Sequence, residues 1–130
     1  MTELPDDSVL LLRRAAPDAL DRSDSSVRHN AFRLRPSRGE LSLSFYDASL
    51  VSAEQVLAGA PTSGWGVAAI TAGVLRSLGF RVSPDTHPVG EPLSPAHVSA
   101  VPQVLDDGQI PLAAREAVAR QARWIIVPGQ

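Results

Sequence analysis

"LSLSFYD", residues 41–47, alternates Leu41, Leu43 and Phe45 against Ser42, Ser44 and Tyr46, the period of a strand with one dry face and one wet face. Just upstream, "AFRLRP" (31–36) sets Phe32 and Leu34 against Arg33 and Arg35, and Pro36 ends the run. The turn between them, "SRGE", carries a glycine. Two alternating runs across a short glycine-containing loop predict an antiparallel hairpin with Phe32, Leu34, Leu41, Leu43 and Phe45 on one face.

The rest of the chain is read outward from that hairpin. Downstream, "SAEQVLAG" (52–59) predicts a short helix: Ser52 suits the N-cap, Gln55 the capping-box position, and Gly59 a left-handed stop. "VAAIT" (67–71) is a small apolar strand, "AGVLRSLG" (72–79) a turn or two of helix ending at Gly79, and "FRVSP" (80–84) another alternating strand. The proline-rich "DTHPVGEPL" (85–93) predicts a loop, and "AHVSAV" (96–101) a strand stopped by Pro102.

"IPLAAREAVARQAR" (110–123) is an amphipathic helix, with Ile110, Ala114, Val118 and Ala122 inward and Arg115, Glu116, Arg120 and Arg123 outward. Upstream of the hairpin, residues 8–16 form an apolar and basic element ended by Pro17, helix or strand by their pattern. Residues 18–30 are polar and turn-rich, and residues 1–7 read as a frayed leader. This order predicts an α+β fold in one domain, 1–130: a small, mostly antiparallel sheet with short helices on one face and a C-terminal amphipathic helix.

Composition narrows the chemistry. With 130 residues, 44% of them hydrophobic, the chain suits one core of ordinary depth. A net charge of −2 offers no global attraction to DNA, RNA or an anionic membrane, and none of these is an expected partner. There is no cysteine, which excludes disulfides, thiol nucleophiles and thiolate metal sites. All 12 basic residues are arginine, which excludes Schiff-base chemistry and a lysine-dependent phosphate loop. An anion site in this chain has to be built from guanidinium, amide or imidazole groups. The N-terminus is acidic before its short apolar run and basic after it, the reverse of a secretory signal, so the expected compartment is the cytoplasm.

Few residues combine into a chemical pattern. His29, His87, His97 and Asp85 are ordinary metal-ligand types, but no pair has helical metalloprotease spacing, and no metal is expected. No GxSxG elbow supports a serine hydrolase. His97, at the head of a strand, shares one face with Ser99 and Val101; half burial is expected, with Asp85 or a backbone carbonyl of the proline loop as its partner. Arg13 and Arg14 read as a surface turn or as a contact for a partner's acidic face. Trp65 and Trp124 read as core edges.

Two resemblances add to this reading. The succession "LLRR", "AFR", "TAG", "RSLGF", "PAH" resembles a group of small bacterial proteins with no assigned activity, in which the last strand runs into a glycine; here Val101 and Pro102 follow. The order Arg33, Ser44, Glu54 resembles that of ADP-ribosyl-transferring folds, which use those residue types to hold a nicotinamide dinucleotide. The expected function is a non-catalytic protein-binding or accessory role, with another protein as partner and no cofactor. The alternative is a small nucleotide-binding or NAD-dependent enzyme. The residues singled out for binding are Arg14, Arg33, Ser44, Glu54, Asp85 and His97.

Overall fold

In the computed structural model, residues 6–35, 40–84 and 96–129 are described. Residues 8–16, undecided from sequence, hold strand β1 (Leu10–Ala15). Pro17 then opens a 3₁₀ turn, Pro17–Ala19. The remaining strands are β2 (Leu43–Asp47), β3 (Gly66–Thr71), β4 (Arg81–Pro84), β5 (His97–Val101) and β6 (Arg123–Ile126). All pair antiparallel, in the order β4-β5-β2-β1-β3-β6. Helices α1 (Ala53–Leu57), α2 (Ala72–Ser77) and α3 (Leu112–Gln121) complete an α+β architecture.

The expected hairpin does not form. His29–Phe32 is a 3₁₀ turn, residues 33–35 lie outside any strand, and β2 pairs with β1 and β5. The alternation of Phe32 and Leu34 has another cause: both side chains are buried against the sheet face, and the Phe32 ring stacks on Phe45 at 6.5 Å. The backbone of Leu34 is bonded by a side chain in place of a strand. Leu34 N–H donates to Gln109 Oε1 at 2.7 Å, and Gln109 Nε2 donates to the Leu34 carbonyl at 3.0 Å. At the start of the same stretch, Leu41 is 69% exposed and stays out of β2.

Alternation along the strands divides the core. One sheet face carries Leu11, Ala15, Phe45, Ala68, Ile70 and Val98, packed on Leu75 of α2, Val118 of α3 and the 3₁₀ residue Phe32. The other face carries Leu12, Tyr46, Val67 and Ala69 beneath Ala53 and Val56. Helix α1 therefore covers the face opposite the other two, whereas the sequence placed all helices on one side.

Helix boundaries follow local chemistry. The Ser52–Gln55 capping box forms in both directions, and Gly79 stops α2 at φ +95°. Helix α3 ends at Gln121, two residues short of the amphipathic pattern, because Ala122 turns extended and the β-prone Trp124 and Ile126 pair with β3. Among the described residues, no helix is long and apolar enough to cross a membrane.

Candidate functional site

The sheet carries an opening at its centre. Strand β1 pairs with β3 along its whole length, Leu10↔Thr71 through Ala15↔Gly66, but with β2 only at Leu11↔Asp47 and Leu12↔Tyr46. Past Leu12 the two strands part, and β4-β5-β2 separates from β1-β3-β6. Side chains and hydrogen bonds of Arg13 and Arg14 occupy the fork.

Arg13 bridges the gap. It is partly buried, and its guanidinium donates from Nε to the Ala31 carbonyl at 2.7 Å, from Nη1 to the Ser44 carbonyl at 3.0 Å and from Nη2 to the Arg33 carbonyl at 3.4 Å. Its plane lies 5.9 Å from the centre of the Phe45 ring. In this way a side chain takes over the backbone acceptor of Ser44 that a continued ladder would have used. Every partner is a neutral carbonyl. Burial pushes the Arg13 pKa down to about 10; Glu40 works against that shift, and Arg35 and Arg14 add to it.

Arg14, next along the strand, projects to the opposite face. Its Nη1 donates to the Val56 carbonyl at 3.1 Å and its Nη2 to the Tyr46 hydroxyl at 3.2 Å, with the guanidinium 5.4 Å from the Tyr46 ring centre. This position explains Gly59. Its φ is not positive, so it is not the left-handed stop read from sequence; a Cβ there would run into Nη1 of Arg14. Glycine stands at 59 to leave room for a guanidinium.

The fork opens into a cleft of about 560 Å³. One wall carries Arg13, Asn30, Arg33 and Arg35, and the other Arg14, Tyr46, Gly59, Pro61 and Trp65, with Ser44 at the floor between them. Four guanidinium groups line it, and its described lining contains no carboxylate. Glu40 is close by but engaged. It accepts from Arg35 Nη2 at 2.8 Å, from Arg35 Nε at 3.1 Å and from the Arg35 backbone N–H at 2.6 Å. Burial works to raise the Glu40 pKa, yet these bonds hold it below the ordinary carboxylate value. Arg33 is exposed, and none of the described residues hydrogen-bonds its guanidinium. Asn30 donates from Nδ2 to the Asp18 carbonyl at 3.2 Å, and its Oδ1 is buried without a partner among the described residues.

Of the residues singled out from sequence, the structure brings Arg14, Arg33 and Ser44 together at the cleft. Glu54 is exposed on α1 and does not line it. Asp85 and His87 lie outside the described residues. His97 is only 5% exposed, more buried than expected; it pairs with Tyr46 across β5 and β2 and sets its ring edge-on to Tyr46 at 5.5 Å. His29 is distant from it along the fold, in the 3₁₀ turn packed on α3, where Arg115 Nη1 lies 3.1 Å from His29 Nδ1.

Sequence reasoning overlooked Arg13, Asn30, Tyr46 and Trp65 as lining residues. A signal for the first was present: "LLLRRA" read as a strand places Arg13 between Leu11 and Ala15 on a buried face, with Arg14 on the other. Comparison with protein-family models, curated proteins and solved structures finds no match for this chain.

Proposed function

We propose that this protein is a binding module for a small phosphate-bearing anion, held in the arginine cleft at the sheet fork. The observation that carries this reading is Arg13. The Arg13 guanidinium is partly buried, its hydrogen bonds go to neutral carbonyls, and burial outweighs the pull of Glu40 on its charge, a cost that an anion in the cleft relieves. Arg33 adds an exposed fork suited to bidentate contact with phosphate. The cleft volume falls in the range typical of small-ligand sites, roughly 300–1,000 Å³, and its concavity suits a small molecule better than a partner's flat face.

The described lining gathers guanidinium donors, and anion binding is the role proposed for it. Thermal unfolding in pyrophosphate and in chloride at matched ionic strength tests it. The expected result is a melting temperature that rises with pyrophosphate concentration, and an affinity at least about tenfold weaker in Arg33→Ala, since hydrogen bonds to charged groups contribute about 1.5–3 kcal/mol. No rise at millimolar pyrophosphate, or an equal rise in Arg33→Ala, overturns the reading.

A further inference from the structure

The cleft has two unlike ends. Because Arg13 and Arg14 project to opposite faces of β1, residues of both sheet faces line the cleft. On the Arg13 side stand its guanidinium, Arg33 and Asn30. On the Arg14 side stands Trp65, partly buried, flanked by Pro61 and Gly59. The indole Nε1 donates to Thr62 Oγ1 at 2.9 Å, within the same loop, which satisfies the polar edge of the ring.

Resting on the anion-binding reading, we infer that the ligand is a nucleotide, its phosphate at the Arg13 and Arg33 end and its base stacked on Trp65. Two observations converge on this class. Guanidinium groups and an indole in one cleft match a molecule that carries an anion and a flat ring on one short frame. Arg14, bonded to the Val56 carbonyl and the Tyr46 hydroxyl, lines the same cleft and has further N–H groups for a phosphate or sugar oxygen. Arg33 and Ser44 of the sequence-derived set belong to this site, while Glu54 and His97 do not line it.

Calorimetric titration with inorganic phosphate, ribose 5-phosphate and AMP separates the two proposals. Base stacking on an aromatic side chain predicts that AMP binds at least about tenfold tighter than ribose 5-phosphate and quenches tryptophan fluorescence. In Trp65→Leu that tenfold advantage is lost; the variant keeps Trp124, so quenching that persists there comes from elsewhere. If phosphate and ribose 5-phosphate bind but AMP gains nothing, or keeps its gain in Trp65→Leu, the base subsite is wrong and the anion site stands. If none of the three binds, both proposals fall.

Discussion

Arg13 and Arg14 show how two identical neighbours receive opposite environments from strand geometry alone. Arg13 faces the larger core and spans three carbonyls with one planar group; no other side chain has that reach and fork. Arg13→Lys keeps a charge in the same partly buried place but cannot serve all three acceptors. It should lower unfolding free energy in urea by about 2 kcal/mol, and at least as much as Arg13→Met, which removes the charge together with its desolvation. A fully stable Arg13→Lys protein would show that the three bonds contribute nothing. Linkage has a defined sign here. The folded-state pKa of about 10 lies below the ordinary arginine value, so above about pH 10 the unfolded chain holds more protons and stability rises with pH until the unfolded arginine also titrates. At neutral pH the charge is present in both states and its burial is a standing cost. Arg14 is tested through its neighbour. Gly59→Ala should cost about 1–2 kcal/mol by displacing the guanidinium from Val56 and Tyr46, and should cost almost nothing in an Arg14→Ala background. Equal costs in both backgrounds would mean that the backbone, not Arg14, requires glycine. The sequence reading took Gly59 for a helix stop because position after a capped helix is the only local cue; the collision partner is far away in the chain.

At the scale of elements, local signals were legible and pairing was not. The Ser52–Gln55 capping box, the Gly79 stop and the strands β2, β4 and β5 follow from spacing and turn chemistry within a few residues. Alternation, however, reports only that successive side chains differ in burial. For residues 31–35 it arose from Phe32 and Leu34 packing onto the sheet, and the partner that satisfies Leu34 is the side chain of Gln109, unreadable from the local pattern. Gln109 acts there as a one-residue strand. Gln109→Leu leaves the Leu34 N–H and carbonyl without these partners and should lower stability by about 2–4 kcal/mol in denaturant unfolding. A loss under half a kilocalorie per mole would show that water replaces the amide freely and that this wall of the cleft is not anchored by it.

At the scale of the whole molecule, a net charge of −2 conceals four arginines gathered at one fork. Composition sees only the sum, and the gathering depends on two separate segments, the end of β1 and the stretch after the 3₁₀ turn at 29–32. The α+β class was legible because it needs only the kinds of element and their order. The fork was not, because it is defined by where β1 and β2 stop pairing. The sheet is thus two halves joined between β1 and β2 at Leu11 and Leu12, with the charged groups placed where the ladder is interrupted. The most direct test of this account is an NMR titration of the labelled protein with AMP, following backbone amides, arginine Nε–H groups and the indole N–H groups. The account predicts saturable shifts concentrated at Arg13 Nε–H, Ser44, Gly59 and the Trp65 indole, on both sides of the fork. An absence of shifts at millimolar AMP, or shifts confined to residues remote from the fork, would contradict it.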